Sequence, residues 1–145
     1  MKRPRLERYF MRPRRVAGML LSKASDDEAL LRLILPSKKV KDELFGFHVQ
    51  QAAEKLLKAV LAGKGIKYRF THDLVELMDL LRGNGIVVPP EIEEVRAFTP
   101  FAVEYRYDYL PAEGEASFDR KAALALLKTM RKWAENMIGE KARNK

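Results

Sequence analysis

The chain has 145 residues, 47% of them hydrophobic, a size that suits one domain with its own core and no covalent staples. It contains no cysteine, so disulfides, thiolate metal ligands and cysteine nucleophiles are excluded. Net charge is +8, but residues 1–15 carry +6 and residues 141–145 carry +3, which leaves 16–140 at −1.

The basicity therefore belongs to the two ends. A basic, flexible N-terminal arm over 1–15 and a basic tail over 141–145 are expected to flank one domain over 16–140. No apolar run is long enough to cross a bilayer, and VAGMLL at 16–21 is too short for a signal core. A cytoplasmic protein without a membrane partner is expected.

A short helical piece is read over 14–23. Ser25 and Glu28 have the spacing of a capping box and open a further helix, which Pro36 stops near Leu35. The next helix runs from Val40 to Ala62 and ends at Gly63 and Gly65. Its residues Phe45, Val49, Ala52, Ala53, Leu56, Leu57 and Val60 share an apolar arc wide enough to suggest more than one neighbour, including a second subunit. His48, Gln51 and Lys55 lie on one flank of that arc, and Gln50 lies toward the opposite edge.

Thr71 is the expected cap of a third helix, with Phe70 and Val75 as a hydrophobic staple, and the turn GNG at 83–85 follows its end near Arg82. GIVVPP at 85–90 is the one weak strand candidate. Pro90 opens a fourth helix, which Pro100 kinks or recaps at Thr99. Ser117 is the expected cap of a last helix reaching Ile138. The pattern is that of an all-α bundle.

Chemical motifs are sparse. The only histidines are His48 and His72, and no HExxH or His/carboxylate cluster offers metal-ligand spacing. Neither GxxxxGK[ST] nor GxGxxG occurs, so no nucleotide cofactor fingerprint is present and no cofactor is expected. GKGIKYR at 63–69 is basic and glycine-containing, which a helix terminator followed by a solvated loop explains. Arg106 stands out. On a continuous fourth helix it would share a face with Ile92, Val95, Thr99, Ala102 and Val103, flanked by Tyr105, Tyr107 and Tyr109. An arginine so placed pairs with a carboxylate or meets an anion, and with aromatics beside it can hold phosphate and stack on bases.

The ordered succession FHVQQAAEKLLKAVLAGKGI (47–66), THDLVELMDLL (71–81) and FTPFAVEYRYDYLP (98–111) resembles the HEPN domain family over roughly residues 42–135. The region before Lys41 departs from that family's usual first helix. The resemblance implies an up-and-down bundle of four to five helices, frequent homodimerisation and frequent pairing with a small nucleotidyltransferase. It also implies that some members are metal-independent ribonuclease toxins. These use an arginine with a histidine four to six residues beyond it. Arg106 matches the arginine, but Pro111, Ala112 and Glu113 occupy the downstream positions and no histidine follows His72. Cleavage through a 2′-OH needs a proton acceptor near neutral pH, and the motif has lost it.

The expectation is therefore a non-catalytic module that binds a nucleotide or a nucleotidyltransferase partner, as in a toxin–antitoxin pair, and forms a homodimer. Arg106, Tyr107 and Tyr109 would form the recognition site, with His48, Gln51 and Lys55 close by. One alternative is a ribonuclease acting on RNA through Arg106 and His48. Another is a purely structural dimerisation module.

Overall fold

The computed structural model describes residues 5–104 and 118–143, with side chains over 14–101 and 118–139. Its elements are α1 (Arg5–Ile34), α2 (Asp42–Gly63), α3 (Leu74–Gly83), α4 (Pro90–Glu93), a 3-10 stretch (Glu94–Phe98), α5 (Thr99–Glu104) and α6 (Arg120–Arg143). Among the described residues there is no strand, so the expected all-α bundle is observed, and GIVVPP is turn and loop up to Pro90, which opens α4. Among them no helix is long and apolar enough to cross a membrane.

Helix α2 is the centre of the bundle. Phe45, Val49, Ala53, Leu57, Val60 and Leu61 are at most 1% exposed, and α1, α3, α5 and α6 all pack on it. Burying each large side chain contributes roughly 1.5–3 kcal/mol, so this helix carries much of the core. The wide arc read from the sequence is covered by the chain's own helices, so its width is no longer an argument for a dimer.

Helix α1 corrects the expectation of two pieces. It runs unbroken through Ser25, and from Arg5 it includes most of the segment expected to be a separate arm. Ala17, Ala24 and Leu31 recur every seven residues and are buried, so a continuous stripe against the core overrides the local capping signal. Glu28 does not reach back to a cap. It is 6% exposed and accepts from Arg131 of α6 at 3.2 Å and from Arg32 at 3.1 Å.

Helices α2 and α3 end alike. Gly65 (φ 71°) and Gly85 (φ 80°) adopt the left-handed conformation that glycine enters without a Cβ clash. Ile66 N–H bonds the Leu61 carbonyl and Ile86 N–H the Leu81 carbonyl, while both isoleucines pack on the core. These are two Schellman closures written by the same local pattern, GKGI and GNGI.

The start of α3 differs from expectation. Asp73, not Thr71, is the cap and accepts from Val75 N–H at 2.9 Å and Glu76 N–H at 3.4 Å. Thr71 Oγ1 instead accepts from Asp73 N–H, and the staple does not form because Phe70 is 81% exposed. Beyond Pro89 the chain forms α4, the 3-10 stretch and α5 in succession, and the restart of the helix at Thr99 is the recapping alternative rather than a kink in one helix. Thr99 Oγ1 accepts from Leu74 N–H, which ties the start of α5 to the start of α3. Ser117 lies outside the described residues; Asp119 caps α6 through Ala122 N–H at 2.9 Å.

Arg120 fixes the far end of the bundle. Its guanidinium donates to the carbonyls of Ile34, Leu35, Ser37 and Val40 and to Asp42, and it stacks on Phe45 with 5.0 Å to the ring centroid. At the opposite end a Cβ on Gly63 would meet Ile138 of α6 at 3.0 Å and Ala17 of α1 at 3.6 Å. Helix α1 is thus antiparallel to α2, and α6 runs parallel to it.

Candidate functional site

Arg106, Tyr107 and Tyr109 lie outside the described residues. The remaining expected residues, on one flank of α2, each meet a different partner. Lys55 is ion-paired with Asp27 of α1, Gln51 Nε2 donates to Gln50 Oε1 at 2.8 Å, and the His48 ring packs edge-on to Phe47 at 5.4 Å.

The polar cluster that does form lies on the other edge of α2. Gln50, Glu54 and Lys58 recur every four residues and so share one helical row. That row faces the loop from Lys64 to Asp73, which returns along α2 after the first Schellman closure. Glu54, 6% exposed, accepts from Lys58 Nζ at 2.9 Å on one oxygen and from Gln50 Nε2 at 3.1 Å on the other. The second oxygen also meets His72 Nδ1 at 2.9 Å. Gln50 is fully buried, and its amide also donates to the His72 carbonyl at 3.0 Å, clamping the loop to the helix.

Electrostatics follows from this geometry. Burial pushes the Glu54 pKa up, but hydrogen bonds from Lys58, His72 and Gln50 and the Lys58 charge outweigh it and hold the carboxyl below its ordinary range. Burial, then the nearby Glu54 charge, raises the Tyr68 phenol. With Nδ1 turned to the carboxylate, the His72 imidazole has its tautomer and orientation set, and its side chain is 30% exposed.

An aromatic surface adjoins the cluster. Lys58 Nζ lies 5.6 Å from the Phe70 ring centroid and 5.8 Å from that of Tyr68, and the His72 ring meets Phe70 edge-on at 5.0 Å. Phe70 nevertheless remains 81% exposed, while its neighbour Arg69 is fixed to Glu76. A presented aromatic face beside a cation and an imidazole is suited to stacking a planar ring. Among the described residues no three His, Cys, Asp or Glu side chains converge to hold a metal.

Sequence reasoning missed Gln50, Glu54, Lys58 and Phe70 as a unit. The signal was available: polar residues at a four-residue spacing interrupt the apolar arc, with glutamate preceding lysine in the favourable order. What periodicity does not supply is the loop fold that delivers His72 and Phe70 onto that row.

A model of the HEPN domain family matches residues 17–137. The fold is also similar to the crystal structure of an archaeal HEPN homologue, with a TM-score of 0.57 and 23% sequence identity. That similarity covers 84% of this chain and 97% of the homologue. No curated protein matches the sequence at a significant level.

Proposed function

The chain belongs to the HEPN family, and we propose that it acts within that family by binding rather than by cleavage, taking up a nucleotide or docking on a small nucleotidyltransferase partner as a homodimer. The observation that carries this reading is the presented Phe70 ring held beside Lys58 and His72, a surface suited to stacking a planar ring. Arg106, with Tyr107 and Tyr109, would supply the phosphate contact. The loss of any histidine beyond Arg106 removes the usual proton acceptor for cleavage.

Calorimetry with adenine and guanine nucleotides, paired with copurification from the native host, tests the proposal. Binding that Arg106→Ala abolishes while helical circular dichroism persists is the expected result. Absence of both a nucleotide and a protein partner would defeat it.

One observation favours a second reading. The Glu54–His72 contact is the arrangement by which a carboxylate orients an imidazole to accept a proton. If His72 replaces the missing downstream histidine, the protein is a metal-independent ribonuclease, and cleavage of RNA by the parent chain would be lost in His72→Ala. The earlier candidate His48 packs on Phe47 and has no carboxylate contact among the described residues.

A further inference from the structure

Helix α1 has a second face that the fold leaves open. Of the six large hydrophobic side chains exposed among the described residues, three lie on it: Met19 at 50%, Leu30 at 39% and Leu33 at 78%. Val16, half-buried, precedes them, and exposed Lys23 and Asp26 stand between them. Val16, Met19, Lys23, Asp26, Leu30 and Leu33 follow one another at intervals of three, four, three, four and three residues. That is the spacing of a helix–helix seam, and at 100° per residue the positions share an arc of about 100°. Ala17, Ala24 and Leu31, which pack on the core, lie on a different side of the helix.

The order of residues along this row is symmetric. Val16 and Leu33, Met19 and Leu30, and Lys23 and Asp26 lie pairwise at equal distances from the midpoint between Ala24 and Ser25. A copy of α1 laid antiparallel on the row therefore sets Val16 against the second copy's Leu33, Met19 against its Leu30 and Lys23 against its Asp26, and each contact occurs twice. Among the described residues neither Lys23 nor Asp26 has a hydrogen bond or an ion pair, although they stand three apart on one helix. Exposed Ser22 and Ala29 beside the row are small and leave room for a close approach.

We propose that this row is the interface between two copies of the chain, an isologous contact in which the α1 helices pair antiparallel about a two-fold axis level with Ala24 and Ser25. The charge order selects the occupant. An unrelated apolar helix would leave Lys23 and Asp26 unpaired, and a parallel copy would set lysine against lysine and aspartate against aspartate. The antiparallel copy meets both with opposite charge, between two apolar clusters that exclude water. The row spans about 26 Å of one helix, so the contact is small and the dimer forms in the micromolar range. The proposal rests on the homodimer of the reading above and on no part of its ligand site, since Phe70 and Arg106 are not on the row.

Sedimentation across the micromolar range tests it, with circular dichroism to show that each variant is folded. The parent is expected to dimerise. Lys23→Asp and Asp26→Lys should each weaken the dimer about ten-fold, because each replaces two opposite-charge contacts by two like-charge ones. The double variant Lys23→Asp with Asp26→Lys, and an equimolar mixture of the two single variants, should both recover the parent's affinity. The chain has no cysteine, so introduced thiols report the register. Met19→Cys mixed with Leu30→Cys should form a disulfide between copies, and neither variant alone should, since the thiols of like copies lie too far apart. A parent that stays monomeric would overturn the homodimer and this interface together. A parent dimer indifferent to the charge changes, unrescued by the double variant, or without the mixed disulfide would overturn this interface alone and move the homodimer to another face.

Discussion

The two largest polar assemblies, around Glu54 and around Arg120, have the same logic and opposite outcomes. Arg120 is one guanidinium that serves four carbonyls and a carboxylate, joining the end of α1 and the loop after it to the start of α2. The carbonyls it meets lie at the end of a helix or in a loop, where helical N–H donors run out, although the Ile34 carbonyl also accepts from Ser37 N–H. Glu54 is one carboxylate that serves an ammonium, an amide and an imidazole, but two of its partners continue outward to an exposed aromatic ring. A polar knot whose partners all turn inward holds the fold. A knot whose partners also present a surface can do that and bind something.

That distinction is tested first where the largest effect is expected. Glu54→Ala would leave Lys58, with its side chain 11% exposed, buried and unpaired, and would free the clamp on His72. Breaking a buried pair from one side costs roughly 3–5 kcal/mol, to be read from the urea midpoint at constant m. Adding Lys58→Met should recover much of that loss, because an uncompensated charge rather than a missing contact dominates it. Failure of the double variant to recover would place the stability in the His72 and Gln50 hydrogen bonds instead.

Arg120→Ala should cost somewhat less, roughly 2–3 kcal/mol, since the carbonyls it abandons lie partly in reach of water. It should leave ligand binding at the Phe70 surface unchanged once the protein is folded. Loss of binding in a folded Arg120→Ala variant would erase the contrast between an inward and an outward knot.

The pH dependence sharpens the comparison further. Glu54 has a folded pKa below its ordinary value of 4.5, so its contribution is fully present above that value and is lost as pH falls through the folded value. Thermal melts between neutral pH and pH 3 should show a drop that is shallower in Glu54→Gln, which is already uncharged. Parallel curves for the two proteins would mean that other carboxylates govern the acid limb.

Much of the fold was legible because its signals are local or periodic. The helix α2, the two glycine closures and the all-α class follow from apolar spacing and from GKGI and GNGI. Errors arose where tertiary packing competes with local chemistry. Ser25 has a capping sequence, but Ala17, Ala24 and Leu31 hold α1 continuous across it, and Glu28 is claimed by Arg131 of a distant helix. Thr71 and Asp73 are both competent caps, and the choice falls to the Thr71 hydroxyl binding Asp73 N–H. The site was less legible. Glu54 and Lys58 could be paired from spacing, whereas His72 joins them only because Gln50 binds its carbonyl across 22 residues of chain. Gly46 is another long-range case: a Cβ there would meet the Phe101 ring at 2.6 Å, a contact that no window around residue 46 contains.

The smallest expected change in stability isolates the outward half of the Glu54 assembly. Phe70 is 81% exposed, so Phe70→Ala removes little buried area and should alter stability by no more than about 0.5 kcal/mol. If the ring is a stacking platform, the same change should weaken a bound base by roughly 1–3 kcal/mol, about five-fold to somewhat over a hundred-fold in affinity. Phe70→Trp would keep or strengthen the stacking face, whereas Phe70→Leu would keep bulk but lose the ring. Graded affinity in the order Trp, Phe, Leu, Ala at constant melting temperature would identify stacking as the source of binding. Equal affinity across the four would remove Phe70 from the site and leave the exposed ring without a ligand role.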